Sequence, residues 1–301
     1  MKLDFDCIIV GAGVAGMTSA IYLKRSGINV AIIEKNYIGG QINKTYTIKN
    51  YPGFKEIDGP TLAITISEQL KELEVPIIYE EVINITDNGD CKEIETNKQK
   101  YISKAVIIAS GKKERHLNLE NEKELIGKGI SWCATCDGNF FKGMDVAVVG
   151  GGNTAMEDTL YLSNVCNKVY VINRSNTFRA DSILLEQVKN KQNIEIITDS
   201  VVKTLIQKDN RLQGIILNNG KEIEIKGLFL AIGSDPVINF LGNIKIELDK
   251  NYIVVDNKMQ TNIDGIYACG DIIKKDLYQI VTAASDGAIA ANSVKDYLNN
   301  K

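Results

Sequence analysis

The chain opens on an apolar, β-branched run, Cys7-Ile8-Ile9-Val10, that enters Gly11-Ala12-Gly13-Val14-Ala15-Gly16. A helical pattern continues to about Arg25 and stops at Gly27. A second apolar run, Val30-Ala31-Ile32-Ile33, ends in Glu34. Strand, glycine turn, helix, strand is the βαβ context in which a Gly-x-Gly-x-x-Gly motif signals a dinucleotide site. The pattern recurs. Val146-Ala147-Val148-Val149 leads into Gly150-Gly151-Gly152-Asn153-Thr154-Ala155, then a helix to about Ser163 and a strand, Lys168–Ile172. Gly11 to Glu34 and Gly150 to Asn173 both span 23 positions, so the second unit repeats the first.

Each loop position has a physical role. Gly11 and Gly150 allow the tight turn, and Gly13 and Gly152 let the backbone approach a pyrophosphate. The third position, Gly16 or Ala155, must be small for the helix to pack on the strand. The helix N-terminus, with Asn153 and Thr154 in its first turn, then offers N–H groups to phosphate. Two such units imply two dinucleotides, or one dinucleotide and a vestigial site. Glu34 suits an adenosine ribose and repels a 2′-phosphate, so the first site fits FAD or NAD. The second unit has Asn173 at the equivalent place, with Arg174 and Arg179 beyond it. The missing acid and the two cations suit the 2′-phosphate of NADP.

Composition narrows the classes. The chain has 301 residues, 44% of them hydrophobic, and a formal net charge of -3, enough for about two domains. No basic block points to nucleic acid. No apolar stretch reaches the roughly 18 residues needed to span a membrane. Acidic residues and glycines near the start argue against a signal peptide, so a cytoplasmic location is expected. Six cysteines are scattered except for one pair, Cys133-Ala134-Thr135-Cys136. A zinc site lacks further ligands. A dithiol/disulfide couple is the functional reading and a buried structural pair the other. A thiolate leaving during exchange needs a proton donor. The single histidine, His116, lies in a polar stretch and reads as exposed, whereas Asp137 directly follows Cys136 and is the candidate acid.

Taken together, these residues resemble the low-molecular-weight, bacterial-type thioredoxin reductases. The likeness runs over almost the whole chain: the first glycine loop, Gly39-Gly40-Gln41, Asn50-Tyr51-Pro52-Gly53-Phe54, Cys133-Ala134-Thr135-Cys136-Asp137-Gly138, the second glycine loop, Thr261–Asp271 and Gln279–Ala284. It implies an α/β fold of two Rossmann-like, three-layer dinucleotide-binding domains, the second inserted into the first. The FAD domain would comprise 1–113 plus 242–301, and the NAD(P)H domain 114–241. The implied FAD contacts are the first glycine loop, Glu34, Gly40, Gln41, Asn50, Gly270, Asp271 and Gln279. Electrons would pass from NADPH through FAD to the disulfide, with Cys136 nearer the flavin and Cys133 attacking thioredoxin. One domain would rotate against the other, and the assembly would be a homodimer. Asn173-Arg174-Ser175 stands where the family usually has His-Arg-Arg, and Tyr278 where an arginine precedes Gln279. NADH or reduced ferredoxin is therefore the alternative donor.

Overall fold

The structure, a computed structural model, describes residues 3–45, 48–242 and 244–300. They divide into two compact units. One holds the described residues of Met1–Asn43, Tyr51–Lys113 and Asp235–Lys301; the other comprises those of Lys44–Asn50 and Glu114–Ser234.

The first unit begins with β1 (Phe5–Val10), α1 (Val14–Arg25) and β2 (Val30–Glu34), followed by α2 (Gly59–Glu72) and β3 (Ile77–Tyr79). An antiparallel arm, β4 (Val82–Asp87) and β5 (Lys92–Thr96), leads to the long strand β6 (Lys100–Ile108). The sheet runs in the order β3-β2-β1-β6-β5-β4. Residues Cys7 to Val10 of β1 and Val30 to Ile33 of β2 are buried without alternation, as expected of parallel strands covered on both faces. Ser103 lies opposite Phe5 and Ile108 opposite Val10, which brings the end of β6 beside the first glycine turn. At the start of α2 the Asp58 carboxylate accepts the Thr61 N–H at 2.8 Å, capping a helix that has Pro60 in its first turn.

The second unit follows β7 (Lys112–Glu114), where the chain leaves the first. It contains β8 (Ile130–Ser131), the short α3 (Ala134–Asp137), β9 (Asp145–Val149), α4 (Asn153–Ser163), β10 (Lys168–Ile172), α5 (Ser182–Lys189) and β11 (Ile194–Ile197). A three-stranded antiparallel sheet, β12 (Val202–Lys208), β13 (Arg211–Leu217) and β14 (Glu222–Glu224), precedes β15 (Gly227–Leu230). The main sheet is parallel throughout, in the order β11-β10-β9-β15-β8. Two apolar clusters flank it. One is built on Leu125, Ile215 and Leu228, the other on Val148, Met156, Val171 and Phe229.

The chain returns through β16 (Ser234–Pro236) to the first unit. There β17 (Leu248–Asp249) and β18 (Tyr252–Ile253) form a small hairpin. β19 (Ile266–Ala268) then adds to β6 in parallel, and α6 (Ile280–Asn299) completes the unit. Ser19 on α1 donates to the Gly287 carbonyl on α6 at 2.9 Å. A Cβ at Gly287 would collide with the Ala15 backbone carbonyl. Gly287→Ala is expected to lower stability by about 1–3 kcal/mol through this overpacking. A lower melting temperature of the variant would show it; an unchanged one would refute the close helix contact.

Candidate active site

The two glycine loops are built alike. Gly11 has φ +106° and Gly150 φ +150°, backbone that a side chain rarely adopts, and a Cβ at either would meet the carbonyl of Ala109 or Ala231. Gly16 is closed in by the Gly11 carbonyl. Gly13 and Gly152 differ: a Cβ on either would meet nothing within 4 Å. These two glycines begin α1 and α4, and neither helix has a side-chain cap. Uncapped N–H groups facing open space at a helix start fit a phosphate. Both loops therefore fit a pyrophosphate, on observations internal to each.

The end of β2, Gly39–Gly40 and Gly270 all meet the first loop. Gly39 N–H donates to the Ala12 carbonyl at 2.8 Å, and a Cβ at Gly40 would come to 3.4 Å from the Gly13 Cα. Glu34 closes β2 with its carboxylate already accepting Ala12 N–H and Asn36 N–H, each at 2.8 Å. Gln41 donates from Nε2 to the Lys112 carbonyl at 2.5 Å. Gly270 abuts Ala15, and Asp271 beside it faces Lys112 Nζ at 3.6 Å and Lys275 Nζ at 3.7 Å. Gln279 is the N-cap of α6, paired with Thr282 in a capping box. Asn50 belongs to the short segment Lys44–Asn50 that groups with the second unit.

Sequence reasoning did not single out Lys112, Lys275 or Asp286. Lys275 binds Asp286 at 2.7 Å, and Lys112 Nζ stands 3.9 Å from the centre of the Tyr278 ring. At the position where the related family carries arginine, this chain has an aromatic ring with a lysine over it. Burial pushes the Tyr278 hydroxyl up to about 12.

In the second unit Asn173 does more than lack a charge. It is buried, and its Nδ2 donates to the carbonyls of Ser175 and Thr177 at 2.8 and 2.9 Å. This staples the loop after β10. Arg179 N–H and Ala180 N–H both bond the Gly151 carbonyl, at 2.7 and 3.2 Å, which ties that loop to the glycine turn. Asn153 fastens the other side, exchanging hydrogen bonds with Asp181. Thr154, Arg174 and Arg179 are exposed. Neither guanidinium has an acidic partner among the described residues.

Cys133 and Cys136 are joined as a disulfide, with Cα atoms 5.3 Å apart. Cys133 is the N-cap of α3, and Cys136 N–H points at Cys133 Sγ at 3.3 Å. A thiolate at Cys133 would keep that donor, which favours the charged sulfur. Asp137 ends the same short helix. Burial holds its carboxyl above the usual carboxylate range, while a hydrogen bond from Ser131 pulls the other way. Its Oδ1 is buried with no hydrogen-bond partner among the described residues. A part-buried carboxyl whose burial favours the protonated form is a candidate general acid. His116 is partly buried rather than exposed. It contacts Glu122 at 3.1 Å and meets Trp132 edge-on, because the stretch around it folds over Glu122. The remaining cysteines are unpaired. Cys7, Cys166 and Cys269 are buried, and Cys91 is partly so.

Two glycine-loop domains and a disulfide on the second define a class, and the likeness to known proteins agrees. The chain belongs to the pyridine nucleotide-disulphide oxidoreductase family, whose pattern it matches over residues 5–287. Membership implies a flavin and a pyridine nucleotide. The chain is 42% identical over 301 residues to the thioredoxin reductase of Mycoplasma genitalium, covering 98% of this chain and 96% of that protein. It is 38% identical to the thioredoxin reductase of Bacillus subtilis, at 98% and 95% coverage. Among solved structures, thioredoxin reductase from Streptococcus pyogenes superposes with TM-score 0.93 at 40% identity, covering 99% of both chains. No helix among the described residues is long and apolar enough to cross a membrane.

Proposed function

We propose that this protein is an NADPH-dependent thioredoxin reductase that binds FAD at the first loop and NADPH at the second. The observation that carries the reading is the Cys133–Cys136 disulfide with the part-buried Asp137 carboxyl directly after it, in the domain that also carries the second glycine loop. The flavin, when bound, supplies the two electrons that open the disulfide. The chain's own residues do the rest. Uncapped amides at Gly13 and Gly152 hold phosphates, and Glu34 accepts the ribose hydroxyls. Cys136 takes the side nearer the flavin. Cys133, as thiolate, attacks the disulfide of thioredoxin, and Asp137 protonates the sulfur that leaves. Cys136 then attacks Cys133 Sγ, releasing reduced thioredoxin and restoring the disulfide. The protein works in the cytoplasm as a homodimer, with one domain rotating against the other between half-reactions.

The donor preference rests on Arg174 and Arg179, two exposed guanidiniums on a loop bonded to the glycine turn. Each charge-assisted contact with a 2′-phosphate is worth about 1.5–3 kcal/mol. Arg174→Ala and Arg179→Ala are each expected to raise the KM for NADPH about tenfold or more and to leave NADH unaffected. Stopped-flow bleaching of the flavin with NADPH, NADH and reduced ferredoxin, followed by thioredoxin, tests the whole reading. Faster bleaching by NADH or ferredoxin would reassign the donor. Bound FAD with no turnover of any thioredoxin would overturn the function.

A further inference from the structure

Resting on the proposed acid role of Asp137, we infer that Ser131 is the positioning residue of the proton donor, coupling it to the backbone of the attacking cysteine. Ser131 ends β8, two residues before Cys133. Its hydroxyl donates to Asp137 Oδ2 at 2.5 Å and accepts the Cys133 N–H at 3.0 Å. It also lies 3.4 Å from the Cys133 carbonyl. Asp137 N–H closes the ring onto that same carbonyl at 3.1 Å. One hydroxyl thus holds nucleophile and acid in fixed relation, and its anchor is a strand of the parallel sheet, β8 paired with β15.

The arrangement also selects which oxygen carries the proton. Ser131 is a donor to Oδ2, so Oδ2 is occupied as an acceptor. The proton of the neutral acid therefore resides on Oδ1, which is buried and bonded to nothing else among the described residues. A proton on Oδ1 meets no competing acceptor among the described residues and is available to a thiolate brought within reach. In the step itself, the Cys133 thiolate forms a sulfur–sulfur bond to the partner and the partner's disulfide breaks. The expelled thiolate takes the Oδ1 proton, leaving Asp137 as carboxylate. The Ser131 hydroxyl, still on Oδ2, stabilises that charge. Cys136 thiol then returns a proton to Asp137 as its sulfur attacks Cys133 Sγ; the Cys133–partner sulfur bond breaks, the partner leaves with that sulfur as a thiolate that takes its proton from water, and the carboxyl ends as it began. Ser131 and Asp137 both line a cleft of about 840 Å³, with Phe140, Met144 and Arg211 also on its wall.

The test is single-turnover oxidation of pre-reduced, FAD-loaded enzyme by thioredoxin and by dithiobis-nitrobenzoate, followed from pH 5 to 10. Ser131→Ala and Ser131→Gly should slow transfer about tenfold. They should also move the alkaline limb to higher pH, because the hydrogen bond that eases ionisation of Asp137 is gone. Ser131→Thr, which keeps the hydroxyl, should restore both rate and limb. Profiles of Ala and Gly variants that superimpose on the parent would overturn the inference. So would an equal slowing of the Ala, Gly and Thr variants with the limb unmoved, since that is loss of packing alone. Asp137→Asn separates the two layers. If it retains the parental rate and profile, the acid role itself fails. If it loses the alkaline limb while Ser131→Ala does not shift it, only the role of Ser131 falls.

Discussion

Replacing Cys136 with serine is expected to give a folded, yellow protein whose flavin is still reduced by its nucleotide but which passes nothing to a disulfide. Cys133→Ser should behave the same way. The loss should reach about three orders of magnitude or more, because the two sulfurs act as one unit and neither serine oxygen can form the exchange bond. Folding should survive. Both side chains are partly exposed, and α3 is a four-residue turn anchored by Ala134, which is buried in the second-unit core. The measurement is thioredoxin reduction alongside flavin bleaching on one preparation. Retained turnover in either variant would mean that the disulfide is structural and that electrons leave by another route.

The second large effect concerns stability and comes from Asp158. It lies on α4 and is partly buried, and no hydrogen bond to its carboxyl is formed among the described residues. Burial, with the adjacent Glu157 adding repulsion, pushes its carboxyl from 3.8 up to about 7. The folded protein therefore keeps a proton there that the unfolded chain releases near pH 4. Stability falls as pH rises from about 4 to about 7 and stays low above that. Each tenfold change in acidity is worth about 1.4 kcal/mol, so the loss cannot exceed about 4 kcal/mol. Residual solvent contact brings the expected figure to about 1–3 kcal/mol. Asp158→Asn should raise the melting temperature at pH 8 and change it little at pH 3.5, below the unfolded carboxyl's range. Equal changes at both pH values would show that the carboxyl is not desolvated.

The glycine loops were legible because their demands are local. A positive φ at Gly11 or Gly150, a small residue at Gly16 or Ala155 and a bare helix start leave the same trace in any chain that needs them. The cysteine pair was legible by adjacency. The parallel sheets followed from unbroken apolar strands such as Val30–Ile33. Features that depend on distant chain were not visible. Asn173 read only as an absent acid, whereas it is a buried staple whose bonds reach Ser175 and Thr177. Ser131 gave no signal, since its value depends on how β8 turns into α3. Lys112, on β7, meets Tyr278, just before α6, a contact between segments far apart in the chain. Asn50 stands in a motif-like stretch next to Tyr51, yet the chain divides between them, with Asn50 on one side and Tyr51 on the other. The tight seat of Gly287 on Ala15 is a helix–helix contact that no periodicity announces.

A protein that handles disulfides must not scramble its own. The attacking species in exchange is the thiolate. Burial drives Cys166 up to about 11 and Cys269 up to about 12, and lifts Cys7 further still. Burial therefore favours the protonated, unreactive form of all three at neutral pH. These sulfurs are chemically silent in the native state. An electrophile or oxidant meeting the reduced protein is thereby channelled to the exchange pair, with Cys91 as the remaining reachable thiol. The fold in this way sorts one element into two populations: sulfur that packs and sulfur that reacts.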